Sequence, residues 1–316
     1  MLSIRPFKKG FDEEAFVSIF NACFGDYDDI REMTLEEMKK MEELPSFNTD
    51  GMLVAEWNGE TAGMINAYVD KLREEKKGFI QWLGVLPKFR GNGVAKRLVQ
   101  KAIESLRQRG MKVAETWAQT DRKACMHIFE GFGFKQIRTT SIMRSNLNTI
   151  PLDIGENKEI GIRKAKLSDD NEIELINRLN NEVFKDHFNF RPKPIEETRY
   201  MLLELPWFQN QTVFFALLQS LPVGFVVAGI DEGLNKEKNV RYGWILDIGV
   251  LKRHRRKGIG TSLMLNAMRL LSAYKMEDAL LYVDDMNPTE AVKLYEKLGF
   301  STLRKNIVYQ LPINKA

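Results

Sequence analysis

Cysteine is scarce in this chain: 316 residues hold only two, Cys23 and Cys125, far apart and in no CxxC pair. That argues against a disulfide framework or a thiolate zinc site, and it makes a reducing, cytoplasmic setting the default. There are three histidines in all. His127 and His254 have no nearby metal-ligand partner, so no metal site is expected. The first nine residues, Met1-Leu-Ser-Ile-Arg-Pro-Phe-Lys-Lys, lack an apolar core of signal-peptide length. No long apolar run is free of breakers either. The richest, 213–230, is interrupted by Gln219, Ser220 and Pro222 and reads as strand, turn, strand rather than as a membrane span. Net charge is low, +4 from 47 basic and 43 acidic residues. It leaves room for an anionic ligand without making a general case for nucleic acid.

What the sequence does have is an internal repeat. Its length suits two domains of roughly 150 residues each, and 44% apolar with 28% charged residues is ordinary for globular domains. Ile4-Arg5-Pro6 opens the first half and Ile162-Arg163-Lys164 the second, each ahead of a helical pattern. Paired strands follow: 53–57 and 62–65 around Asn58-Gly59, then 213–218 and 223–227 around a Ser220-Leu221-Pro222 turn. A further apolar strand, 79–85 or 242–250, runs into a basic, glycine-bearing loop and then an amphipathic helix. One helix carries Val94, Leu98, Ala102 and Ile103 on its apolar stripe, the other Leu263, Ala267, Leu270 and Leu271. A Gly-Phe pair stands near each end, Gly133-Phe134 and Gly299-Phe300. Arg255 follows Arg90 by 165 residues and Gly299 follows Gly133 by 166, as duplication with a small insertion would give. Pro151, Gly155 and several Asn mark a stretch of little apolar periodicity. Domains are therefore expected at 1–147 and 160–316, joined by a linker at 148–159.

Each glycine loop follows a strand and opens a helix, where unpaired backbone N–H groups and the helix dipole make an anion site. Gly258 and Gly260 would let the backbone approach a pyrophosphate, and Lys252, Arg253, Arg255, Arg256 and Lys257 raise the local field. The P-loop pattern GxxxxGK[ST] is absent, and a dinucleotide fingerprint would need glycine where Leu263 stands. A solvated turn is the bland alternative for one such loop. Two copies, each between strand and helix, argue against it.

The stretch from Val250 through Arg255, Arg256, Lys257, Gly258, Ile259, Gly260 and Thr261 resembles the acyl-CoA loop of the GNAT superfamily of N-acetyltransferases. There, a strand ending in Val leads into (Arg/Gln)-x-x-Gly-x-(Gly/Ala). Val85, Arg90, Gly91, Asn92, Gly93, Val94 and Ala95 are similar, including a Pro two residues after the Val. The family's downstream motif is matched by 287–300, from Asn287 through Tyr295 to Gly299-Phe300. The resemblance covers most of both halves. It implies an α/β fold of two tandem GNAT-type domains, each a mixed, mostly antiparallel twisted sheet flanked by helices, with acetyl-CoA as cosubstrate.

Acyl transfer to an amine needs a deprotonated amine, a polarised carbonyl and a proton for the departing thiolate. In this family a tyrosine of the downstream helix commonly supplies that proton, and Tyr295 holds its place. Asn287 stands where a side chain contacts the pantetheine arm or shapes the strands around it. Asp247, three residues before Val250, is the candidate base, with Asp284 and Asp285 as alternatives acting through water. A surface tyrosine and structural carboxylates are the competing interpretations. The repeat aligns Phe129 with Tyr295, Asp121 with Asn287 and Trp82 with Asp247, and a phenyl ring donates no proton. The second copy is thus expected to catalyse, and the first to be degenerate while keeping a CoA loop.

The acceptor wall is expected at 184–192. Its Phe184-Lys185-Asp186-His187-Phe188 resembles the Phe-x-Asp-His-aromatic segment of tandem GNAT proteins of the mycothiol-synthase-like type. His187 is a candidate for substrate contact or for a bond within its own loop. The acidic segment Phe24-Gly25-Asp26-Tyr27-Asp28-Asp29 is its counterpart, an exposed acidic turn or a site for a cationic partner. The leading expectation is acetyl transfer to a primary amine of a small molecule. A protein N-terminus or lysine, or a non-catalytic acyl-CoA sensor, are the alternatives. Nucleic-acid binding through 252–257 ranks low, because no basic stripe extends the cluster. A membrane partner is not expected, and the oligomeric state is left open.

Overall fold

The computed structural model describes residues 1–151, 157, 159–208, 210–287 and 289–313. Half of the expected linker, 152–156 and 158, lies outside the described residues, as does Pro288 of the downstream motif. The chain forms two compact units, one of Met1–Thr139 with Asn306–Ala316 and one of Thr140–Lys305. The first comprises β1 (Leu2–Pro6), α1 (Glu13–Phe24), α2 (Leu35–Met41), β2 (Met52–Trp57), β3 (Glu60–Tyr68), β4 (Lys77–Val85), α3 (Val94–Gln108), β5 (Val113–Gln119) and α4 (Lys123–Gly131). The chain then leaves through β6 (Lys135–Asn146). The second unit adds β7 (Gly161–Lys164), α5 (Asp170–Phe184), α6 (Ile195–Leu203), β8 (Thr212–Leu218), β9 (Leu221–Gly229) and α7 (Glu232–Lys238). After these come β10 (Tyr242–Val250), α8 (Ile259–Ala273), β11 (Asp278–Asp284), α9 (Ala291–Lys297) and β12 (Ser301–Pro312).

Each unit is a twisted, mostly antiparallel sheet with helices on both faces. Strands run β1-β2-β3-β4-β5-β12 in the first and β7-β8-β9-β10-β11-β6 in the second. The exceptions to antiparallel pairing are β4 with β5 and β10 with β11. The last strand named in each order comes from the other repeat. Asn306–Pro312 pairs with β5 from Gln119 to Val113, and 140–146 pairs with β11 from Asp284 to Asp278. A division of the chain at 147 and 160 assigns each of these strands to its own repeat, whereas the hydrogen bonds exchange them.

The elements follow from their residues. Leu98, Ala102 and Leu106 recur every four positions on α3 and are wholly buried, as are Leu263, Ala267 and Leu271 on α8. The 213–230 stretch is the hairpin β8–β9, and no helix among the described residues is long and apolar enough to cross a membrane. In the first hairpin Asn58 (φ 52°) and Gly59 (φ 84°) adopt the paired left-handed turn that suits strand twist. The expected Ser220-Leu221-Pro222 turn is displaced. Gln219 (φ 50°) and Ser220 (φ 66°) make the turn instead, while Leu221 and Pro222 pair with Leu218 and Leu217 in the ladder. Arg5 explains one recurrent motif: it grips Asp12, just ahead of α1, at 2.6 and 2.8 Å. Arg163 grips Glu172 of α5 at the same two distances.

Candidate functional site

The site of the second unit begins with two strands that part. β10 and β11 pair only from Tyr242 to Ile245 against Asp278 to Leu281. Beyond that point β10 stays bonded to β9 as far as Val250, and β11 stays bonded to β6 as far as Asp284. On the gap side, the backbone groups of 246–250 have no strand partner and suit an extended polar ligand arm. The first unit splays likewise, its parallel pairing ending at Phe79 and Glu115.

A bulge decides what faces the gap. Ile245 opposes Ala228 and Asp247 opposes Val227, so Leu246 is an extra residue. Residue parity then places Leu246 and Asp247 on the same face, toward α5, while Ile248 and Val250 return to the α8 side. Solvent still reaches part of Asp247, yet the carboxyl is walled in deeply enough for desolvation to dominate. Burial raises its pKa above the ordinary value, and Lys193 and His187 pull it partly back. Tyr295, on α9, is 6% exposed and lies 6.0 Å from the Phe300 ring. Burial first, and then the charge of Asp247, push its hydroxyl well above the usual phenol range. Thus α9 and β10 bring the two expected catalytic side chains within electrostatic reach of each other.

His187 joins them from the turn after α5. Its ring meets Phe184 edge-on at 4.8 Å, and its backbone N–H donates to the Phe184 carbonyl at 2.8 Å. Burial and Arg255 hold its pKa down, against the pull of Asp284, Asp186 and Asp247. Its backbone closes the turn, while its ring belongs to the electrostatic cluster. The alternative bases are otherwise engaged. Asp284 accepts from the Met286 N–H at 3.0 Å, and Asp285 accepts from Ser141 at 2.6 Å with Lys305 3.7 Å away.

The glycine loop lies at the mouth of the gap. Gly258 caps α8 in the left-handed region at φ 76°, Gly93 caps α3 at φ 77°, and Arg256 and Gly91 are left-handed too. The first intrahelical bonds are Ser262 N–H to Gly258 and Arg97 N–H to Gly93. The N–H groups of Ile259, Gly260 and Thr261, and of Val94, Ala95 and Lys96, are consequently the donors left for an anion. Ile259 and Val94 are both 1% exposed, so only their backbones can serve. Arg255 and Arg90 have structural duties: their Nε donate to the carbonyls of Val250 and Val85 at 2.9 Å. Arg255 also reaches the Val183 carbonyl at 3.2 Å. Arg256 pairs with Glu290, and the Lys257 carbonyl accepts from Asn157 at 2.9 Å. A Cβ at Gly260 would come within 3.1 Å of Leu294, so this glycine also serves the α8–α9 contact. The Asn92 amide holds its own loop, bonding the carbonyls of Phe89 and Arg90. The Asn287 side chain accepts from Thr289 N–H and hydroxyl at 2.9 and 2.8 Å, which fixes the turn ahead of α9.

Comparison with known proteins agrees with this geometry. The profile of the Acetyltransferase (GNAT) family matches twice, at residues 14–134 and 178–300. The chain belongs to the GNAT acetyltransferases. It is similar to a mycothiol acetyltransferase of Actinosynnema mirum, 25% identical over 84% of this chain and 86% of that protein. The match to the mycothiol acetyltransferase of Streptomyces coelicolor is 27% identical and spans about half of each, 46%. An N-alpha-acetyltransferase of Sulfurisphaera tokodaii is 30% identical over 46% of this chain and 83% of that one. Among solved structures, a tandem GNAT protein from the clavulanic acid biosynthesis pathway shares the fold with a TM-score of 0.77, covering both chains fully at 12% identity.

The two GNAT units differ where chemistry would occur. Trp82 holds the place of Asp247, at the corresponding bulge, and meets Phe16 edge-on at 5.3 Å. Phe129 holds the place of Tyr295, 2% exposed and packed on Phe134. His187 follows Tyr27 by 160 residues, and Lys193 follows Met33 by the same interval. Asp26 is neutralised internally: Arg122 pairs with it at 2.7 Å and stacks over Tyr27 at 4.1 Å, latching the α1–α2 segment to the loop after β5. Neither Lys193 nor this latch falls within the sequence motifs. The 160-residue register, which also aligns Asn21 with Asn181, Arg31 with Arg191 and Glu37 with Glu197, was the signal for them.

Proposed function

We propose that the second unit transfers an acetyl group from acetyl-CoA to a primary amine of a small molecule, by direct attack in a ternary complex. The observation that carries the proposal is the electrostatic coupling of Asp247 and Tyr295 beside the gap between β10 and β11. The pyrophosphate would lie on the N–H groups of 259–261, and the pantetheine arm in the gap, presenting its thioester to both side chains. Asp247, a stronger base for being buried, takes a proton from the amine as nitrogen bonds to the carbonyl carbon. Tyr295, kept protonated by its surroundings, gives its proton to sulfur as the C–S bond breaks. The proton on Asp247 then returns to Tyr295 through solvent. The products are the N-acetyl amide and free CoA thiol.

The first unit keeps the loop and the gap but presents Trp82 and Phe129, so its role is to bind CoA without turnover. A cytoplasmic setting, where acetyl-CoA is available, fits this assignment. The Sulfurisphaera relative favours a second version in which the amine is a peptide N-terminus. The test is an amine and peptide panel with acetyl-CoA, following thiol release and the acetylated product by mass. Amine-dependent thiol release with a matching N-acetyl product is expected. Acetyl-CoA binding without any transfer would leave a binding protein instead.

A further inference from the structure

Lys193 lies in the turn that leads into α6, and its backbone is held from both sides. Its N–H donates to Asn181 Oδ1 at 2.8 Å, and its carbonyl accepts from the amides of Asn177 and Asn181 at 2.9 and 3.0 Å. Asn177 is itself tied to Thr198 at 2.8 Å, and Arg191 pairs with Glu197 at 2.8 Å. The same clamp exists in the first unit. Asn21 exchanges bonds with Met33 at 2.8 and 3.0 Å, and Arg31 pairs with Glu37. There it aims the side chain inward, and Met33 is 8% exposed. The second unit puts an ammonium in that inward position.

Lys193 is half-buried, and among the described residues its ammonium makes no hydrogen bond or ion pair. Its field reaches Asp247, though the two make no direct ion pair. The other acids of the cleft are occupied, Asp186 by Lys252 at 3.2 Å and Asp284 by the Met286 N–H. With its backbone fixed by the clamp and no acid paired to its ammonium, Lys193 offers an open positive charge to an anionic group on a ligand. Resting on the assignment of this unit as an amine acetyltransferase, we infer that its acceptor carries an anionic group near the amine. Asp247 takes the amine end and Lys193 takes the anion.

The experiment compares matched acceptors with the full chain at saturating acetyl-CoA. β-Alanine is set against β-alaninamide, O-phosphoethanolamine against ethanolamine, and any other amine the chain accepts against its carboxylate-bearing or amide form. The wild type should favour the anionic member by at least about tenfold in kcat/KM. The pair with the larger preference tells carboxylate from phosphate. Lys193→Met, which installs the residue the first unit tolerates in the same clamp, should bring that ratio close to one, and Lys193→Arg should keep most of it. Equal use of both members by the wild type would overturn the inference. So would a Lys193→Met variant that loses both members equally, since that marks a structural role or a mere counter-ion for Asp247. If no amine at all is acetylated, the enzyme assignment fails first, and the inference falls with it.

Discussion

Tyr295 and Asp247 are each set by neighbours that the linear motif does not name. Tyr295 packs between α8 and Phe300, and the charge on Asp247 helps to keep its proton in place. Tyr295→Phe should lower kcat by about a hundredfold or more with little change in KM for acetyl-CoA, as expected for loss of a general acid. Steady-state kinetics would check this. Asp247 has a raised folded-state pKa, so it is still protonated at pH values where an ordinary carboxyl is ionised. Activity should therefore fall on the acid side from a pH above the ordinary 3.8, in a limb that Asp247→Asn removes and that does not move with the pKa of the acceptor amine. The sign also carries into stability. A raised folded pKa means that stability drops as pH rises and the buried carboxyl must ionise, so Asp247→Asn should melt higher than wild type at neutral pH while losing turnover. Both residues were legible from motif spacing. The electrostatic cluster around them was not, because His187 and Lys193 reach it from a turn some 55 to 60 positions away in the chain.

At the scale of elements, the glycine loops separate conformation from contact. Gly258 is left-handed at φ 76°, where a Cβ costs about 1–2 kcal/mol. Gly258→Ala should therefore weaken acetyl-CoA binding by roughly tenfold, by calorimetry. Gly59→Ala, equally left-handed at φ 84° but in the β2–β3 hairpin of the first unit, should cost stability and leave the affinity of the second unit's loop alone. The clamps at the starts of α1 and α5 were visible only as repeated Ile-Arg pairs. Asp12 is 2% exposed, accepts both Arg5 bonds and also takes the Lys8 N–H at 2.7 Å. Asp12→Asn should destabilise the first unit by about 2–4 kcal/mol in denaturant titration. Arg5 depresses the Asp12 pKa, so the contribution is present above the ordinary value of 3.8 and is lost as pH falls through the lowered one. Strands, helices and loops were legible because burial at period two or near four leaves a pattern. The Gln219-Ser220 turn was not, since neither residue announces a left-handed backbone. The exchange of the terminal strands was hidden as well. Residues 140–146 and 306–312 pair with partners more than 130 positions away, and nothing local selects which repeat they join.

Across the whole molecule, duplication produced two GNAT units with the same splayed strands and the same anion-ready loop, and the differences gather in the cleft. Asp247, Tyr295, His187 and Lys193 in one unit correspond to Trp82, Phe129, Tyr27 and Met33 in the other, where Arg122 also latches the α1–α2 segment. The proposed chemistry therefore belongs to the second unit alone. The Asp247→Asn/Tyr295→Phe double variant tests that assignment most directly, with acetyl-CoA turnover measured on an acceptor that the wild type uses. Residual turnover below about 1% of wild type, with acetyl-CoA binding retained, is the predicted result. Retention of half the activity or more would mean that the first unit also catalyses, and would contradict the account.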